Sequence, residues 1–182
     1  MKRILVAGIG NIFFGDDAFG CEVAKVLSRR ELPDGVCVKD FGIRSYDLAY
    51  SIMDDYDATI LVDASPRGEA PGTLYLIEPE INKLDDEEEE AVNAHSMNPL
   101  RVLQLVRSLG GRSRKVYLVG CEPGVLEPEN GRMGLSEKIH AAIEPAVNMI
   151  ENLIADFTDG RQPIVSGSTN NQNQTALRNE DR

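Results

Sequence analysis

Three short segments constrain what this chain can fold into: RILVA (3–7), VCVKDF (36–41) and ATILVDAS (58–65). Each has strand length. The first and third are close to continuously apolar, as a parallel strand covered on both faces must be. Between them the apolar residues recur at helical spacing, with Phe19, Val23, Val26 and Leu27 inside 18–27 and Leu48, Ile52 and Met53 inside 45–56. Strands alternating with helices predict an α/β fold. The expected architecture is a doubly wound, three-layer αβα sandwich around a mostly parallel, five-stranded twisted sheet with one antiparallel strand.

The fourth apolar segment, TLYLIE (73–78), follows the third too closely to leave room for a crossover helix. It is therefore expected to run antiparallel to the third strand or to lie at a sheet edge. NPLRVLQLVRSLG (98–110) reads as a helix with Leu100, Leu103, Val106 and Leu109 on one face, Pro99 tolerated in the first turn and Gly110 as terminator. KVYLVGCEP (115–123) is the fifth strand, and LSEKIHAAIEPAVNMIENLIADF (135–157) a long closing helix that Pro145 is expected to kink. Residues 1–157 thus make one α/β domain. Residues 158–182 are poor in large apolar side chains and are expected to form a disordered polar tail.

Composition removes several function classes. The 182 residues carry 19 Lys and Arg against 30 Asp and Glu, a net charge of -11, with no basic stripe to neutralise phosphates, which argues against nucleic acid as a partner. No apolar run approaches the ~20 residues of a membrane span. Residues 1–7 lead into a glycine loop rather than a small-residue cleavage site, so a soluble, cytoplasmic protein is expected. Cys21, Cys37 and Cys121 show neither a CxxC pair nor a zinc-finger spacing and read as reduced, mostly buried thiols. The acidic run LDDEEEEA (84–91) reads as a solvated loop.

In an open α/β sheet, ligands gather beyond the carboxyl ends of the strands. Asp16 and Asp17 follow the first strand, Asp40 closes the second, Asp63 the third, and Cys121 with Glu122 the fifth. The glycine loop GIGNIFFGDD (8–17) suggests a dinucleotide cradle, but the third glycine of G-x-G-x-x-G is replaced by Phe13. Two carboxylates would also oppose a pyrophosphate at the helix start. A dinucleotide-binding module remains a competing reading, although no nucleotide cofactor is expected. No G-x-S-x-G elbow or HExxH pair is present.

What remains is a set of carboxylates and a loop histidine. Asp17, Asp63 and His95 could supply three ligands to a borderline metal ion and leave positions open. Asp16 reads instead as a helix N-cap, and Asp17, one position further in, caps less well. Asp63 ends an apolar run, where an unpartnered carboxylate is costly to bury. His95 could equally be a neighbour of the following helix cap. His140 reads as a structural or surface residue, and Asn11 as a hydrogen-bonding residue of the loop.

ILVAGIGNIFFGDDAFG, ILVDAS followed by PGT, AHSMNPLRVL and VYLVGCEPGVLEP, in that order across roughly residues 3–155, resemble the [NiFe]-hydrogenase maturation proteases. The resemblance implies an aspartyl-type endopeptidase that removes a C-terminal extension from the hydrogenase large-subunit precursor after nickel insertion. It further implies that the metal-binding and catalytic residues are Asp17, Asp63 and His95, with nickel brought by the precursor. Asp40 corresponds to an acidic residue of the family that closes the second strand, but Phe41 stands where many relatives have a second glycine. Either a carboxylate or a metal-polarised water would activate the attacking water. A non-catalytic, nickel-dependent assembly chaperone is a further alternative.

Overall fold

The computed structural model describes residues 1–79, 98–111, 114–124, 126 and 133–165. The chain runs β1 (Ile4–Ile9), a 3-10 turn (Gly15–Ala18), α1 (Phe19–Leu27), β2 (Val36–Gly42), α2 (Ser45–Met53), β3 (Ala58–Ala64), β4 (Leu74–Ile77), α3 (Pro99–Ser108), β5 (Lys115–Cys121), α4 (Glu137–Ala141) and α5 (Ile143–Thr158). The five strands form one sheet in the order β2-β1-β3-β5-β4. β2, β1, β3 and β5 are parallel, and β4 is antiparallel to β5.

Side-chain alternation assembles three layers. Ile4 and Val6 of β1, Ile60 and Val62 of β3, and Tyr117 and Val119 of β5 pack with α1, α4 and α5 in one apolar cluster. Leu5, Ala7 and Ile9, with Leu61 and Val116, face the other way and pack with α2 and α3. Both faces of the central strands are thereby covered, which is why their sequences read as unbroken apolar runs. Among the described residues no helix is long and apolar enough to cross a membrane.

Two glycines bring α1 close to the sheet. A Cβ at Gly20 would lie 2.1 Å from Val62 O and 2.3 Å from Ile9 O, and one at Gly8 would lie 2.4 Å from Gly20 O. The start of α1 therefore rests directly on the backbone of β1 and β3, and this contact fixes where the carboxylates of the preceding turn can go.

The expected fold holds, with two refinements. β4 lies at the sheet edge and runs antiparallel, but its hydrogen-bonded partner is β5 rather than β3, because β5 inserts between them. The expected single helix over 135–157 is two helices, α4 and α5, separated at Ala142. The cause is Pro145, which has no N–H to offer the carbonyl of Ala141 and whose ring would clash with it. The helix breaks before that clash, and Pro145 falls in the first turn of α5, where an N–H would have no partner. Residues 159–165 continue past α5 with Pro163 buried and Val165 against the core. The remainder of the expected tail, and the acidic run 84–91, lie outside the described residues.

Candidate active site

The sheet order places a topological switch between β1 and β3. The chain leaves β1 toward β2 on one side, then crosses to β3 on the other. The crevice above such a point is where an α/β sheet offers room to a ligand. Asp17 lies in the 3-10 turn that follows β1, and Asp63 is the penultimate residue of β3.

Gly10, immediately after β1, has φ 138°, and a Cβ there would stand 1.8 Å from Asp17 O. Only glycine lets the loop fold back so tightly. The loop then closes on itself, with Asn11 N donating to Asp17 Oδ2 at 2.7 Å, Phe13 N to Asn11 Oδ1 at 3.0 Å, and Asp17 N to Phe14 O at 3.0 Å. Asn11 thus has the loop-organising role expected of it, and the glycine loop holds the Asp17 carboxylate.

Asp17 and Asp63 are both buried. Burial raises the Asp17 carboxyl above its ordinary range, against the lowering effect of the Asn11 N–H. Burial raises Asp63 well above its range too, the neighbouring charge of Asp17 adds to the rise, and the Ala64 N–H opposes it only weakly. Two adjacent buried carboxylates that repel one another hold a proton between them or attract a cation. Among the described residues, no group of three His, Cys, Asp or Glu side chains is arranged to hold a metal ion. The expected third ligand, His95, lies outside the described residues.

Cys21 has a place at this site that the sequence reading did not give it. Its Sγ donates to Gly10 O at 3.4 Å. Burial, then a hydrogen bond and the charge of Asp40, then the charges of Asp17 and Asp63, push its thiol far above the ordinary range. It is therefore a neutral thiol facing three carboxylates. The signal was its position four residues after Asp17, one helical turn on.

Asp16 corrects an expectation. It caps no helix: the 3-10 turn and α1 both lack a side-chain cap. Its fully buried carboxylate instead accepts from Gly124 N at 2.9 Å, Ser136 N at 2.6 Å and Ser136 Oγ at 3.0 Å. It ties the turn carrying Asp17 to both ends of the connection between β5 and α4. These partners are more than a hundred residues away in sequence, and no local pattern announces them.

The other candidates separate from the pair. Asp40 sits at a bulge, where β2 pairing shifts from Gly8↔Asp40 to Ile9↔Gly42, and its Oδ1 accepts from Gly42 N at 2.9 Å. The skipped residue, Phe41, is buried among the side chains of the α2–α3 face. Glu122 accepts from Arg67 N at 2.7 Å, Gly68 N at 3.1 Å and Tyr75 Oη at 2.6 Å, which organises the loop after β3. His140 is exposed on α4, as a surface residue should be. Cys21 and Cys121 are buried, Cys37 is half-buried, and all three are free thiols.

The fold is shared with solved hydrogenase maturation proteases. The family model for hydrogenase maturation protease matches residues 21–153, more than half of the chain. The hydrogenase 2 maturation protease of Escherichia coli is 35% identical over 155 residues, covering 81% of this chain and 88% of its own. The coenzyme F420 hydrogenase subunit delta of Methanothermobacter thermautotrophicus is 34% identical over 153 residues, covering 81% and 92%. Among solved structures, the hydrogenase maturating endopeptidase HybD from Escherichia coli superposes with a TM-score of 0.70 at 32% identity, covering 87% of this chain and 94% of that one. The maturation protease HycI from Thermococcus kodakarensis does so with 0.66 at 27% identity, covering 85% and 93%. This chain belongs to the hydrogenase maturation proteases, a family of peptide-bond hydrolases.

Proposed function

We propose that this protein is the endopeptidase that removes the C-terminal extension of a [NiFe]-hydrogenase large-subunit precursor once nickel has been inserted, with the nickel as its recognition element. The observation that carries this reading is the Asp17–Asp63 pair: two buried carboxylates at the switch point, each raised by desolvation, with Asp17 adding to the rise at Asp63. Among the described residues the Asn11 and Ala64 N–H groups are the donors to the pair, which leaves it open to a cation. Carboxylate oxygens and, from His95, an imidazole form an open, borderline donor set that suits a divalent metal presented by another protein. No resident metal and no nucleotide cofactor is needed.

In this mechanism the free enzyme keeps a proton on the pair, held by Asp63. When the metal-bearing precursor docks, the pair gives up that proton, and Asp17, Asp63 and His95 engage the nickel. That contact fixes the scissile peptide beside the site, which converts recognition into positioning. A carboxylate oxygen not engaged with the metal, or a water polarised by it, then serves the attack on the peptide carbonyl. An empty precursor leaves the pair protonated and its own peptide unaligned.

The test is processing in vitro of matched precursors with and without nickel, followed as a shift in large-subunit mass. Wild-type protein should shorten only the nickel-loaded form. Asp63→Ala and His95→Ala should lower the rate by at least about a thousandfold, the scale of losing a positioned catalytic group. Equal trimming of the nickel-free precursor, or an Asp63→Ala variant at the normal rate, would sink the reading. Binding of the precursor without shortening would point to a chaperone instead.

A further inference from the structure

The segments that flank the carboxylate pair expose a continuous set of large apolar side chains. Ile12, Phe13 and Phe14 are 45%, 61% and 38% exposed, and Ile43, Tyr46 and Tyr50 are 58%, 63% and 59% exposed. The loop carrying the first three is rigidly built, closed by Phe14 N to Asn11 O at 3.0 Å and by the bonds to Asn11 and Asp17 described above. Gly10 N donates to Gly42 O at 3.1 Å, joining this loop to the turn that carries Ile43. Tyr46 and Tyr50 continue the patch along one stripe of α2, four residues apart. Three consecutive exposed apolar residues held in fixed geometry are unusual on a free surface and mark an interaction site.

The charge beside the patch is mixed with an acidic excess. Asp40, Arg44 and Asp47 are all exposed there, and the Arg44 guanidinium is turned onto the backbone carbonyls of Asp40 and Phe41 and lies 4.0 Å from Asp47 Oδ2. What covers the patch follows from its position. The loop runs straight into Asp17 and is tied to its carboxylate by Asn11 N, so a polypeptide brought to Asp17 comes up beside Ile12, Phe13 and Phe14.

We infer that Ile12–Phe14, Ile43, Tyr46 and Tyr50 form the docking surface for the precursor, receiving an apolar face of that protein bordered by basic side chains. This rests on the proposed function, since the occupant is the precursor that the carboxylate pair acts on. The aromatic rings supply area at low entropic cost, as interface anchors do, and Asp40 and Asp47 set the orientation through charge. The carboxylate pair then needs to test only the metal, because the approach has already been selected.

The experiment measures KM and kcat for the nickel-loaded precursor with wild type, with Phe13→Ala/Ile43→Ala/Tyr46→Ala, and with Leu109→Ala/Ile164→Ala as a control at exposed apolar positions elsewhere. The triple variant should raise KM by at least about tenfold, with kcat within about twofold, and the control should match wild type. The truncated side chains are exposed, so thermal melting should be unchanged in both. Asp47→Lys should raise KM several-fold. Wild-type cleavage combined with an unmoved KM in the triple variant would overturn the docking surface alone, as would an equal rise in the control. A lowered KM in Asp47→Lys would overturn the basic border. Wild type that leaves the nickel-loaded precursor uncut would remove the proposed function, and this surface with it.

Discussion

Asp63 and Glu122 stand at the carboxyl ends of adjacent strands, β3 and β5, and both are almost completely buried. Their surroundings drive them in opposite directions. Burial also pulls Glu122 upward, but Tyr75 Oη and the N–H groups of Arg67, Gly68 and Glu69 outweigh it and hold the carboxyl below its ordinary range. Asp63 has burial, the repulsion of Asp17 and a single modest N–H. Among the described residues Glu122 has several donors, whereas Asp63 has the Ala64 N–H. A carboxylate that braces a loop needs saturation, whereas one that must accept a cation from outside has to be left short of partners. Asp16 and Asp17 repeat the contrast one residue apart: Asp16 accepts from Gly124 and Ser136, and among the described residues Asp17 accepts a hydrogen bond from Asn11 N.

The largest effect that separates the two kinds of carboxylate is expected at Asp16. Asp16→Ala removes a fully buried acceptor from the part-buried N–H groups of Gly124 and Ser136 and leaves a cavity in its place, at a cost of about 3 kcal/mol. In a domain of this size that is a fall in Tm of roughly 10 °C. Asp17→Ala should cost much less stability while abolishing processing. Equal melting temperatures for the two variants would break the distinction between bracing and working carboxylates.

A smaller effect is expected at Glu122. Glu122→Gln keeps one acceptor oxygen but turns an amide toward donors, and should cost about 1–2 kcal/mol. Its pH dependence carries the sign. A carboxyl lowered in the fold contributes stability above its unfolded pKa, and that contribution is lost as pH falls through the folded value. Melting curves from pH 7 down to pH 3 should therefore fall less steeply for Glu122→Gln than for wild type. Parallel curves would show that the saturation of Glu122 does not stabilise the fold.

How far these differences could be read in advance depends on what each residue's partners are. The strands were legible because burial on both faces leaves an unbroken apolar run, and an antiparallel or edge placement of β4 followed from the short connection before it, whereas its pairing with β5 did not. Asp17 and Asp63 were legible as candidates because strand ends are the only places in such a sheet where a carboxylate can meet a ligand. The partition of roles was not. Asp16 looks like a cap in a local window, and only the return of Gly124 and Ser136 to the same turn makes it a clamp. Pro145 was recognised as a disturbance, but whether a helix kinks or breaks there depends on how α4 and α5 each pack on the sheet. Cys21 was passed over because a cysteine without a partner in sequence carries no chemistry until folding surrounds it with Asp40, Asp17 and Asp63.

The smallest effect is also the one with the opposite sign, and it bears most directly on the pair. Because the Asp63 carboxyl is raised in the fold, the native state binds its proton more tightly than the unfolded chain does. Stability from this group is therefore complete below the unfolded pKa of about 3.9 and is lost as pH rises toward the folded value. At neutral pH the Asp63 carboxyl therefore lowers stability. Asp63→Asn, close in shape and uncharged at every pH, should melt a few degrees higher than wild type at pH 7. The difference should shrink toward pH 4, where the wild-type carboxyl is itself neutral. A variant less stable than wild type at pH 7 would mean that Asp63 is braced like Glu122, and the reading of the pair as a vacant acceptor for a cation would fall.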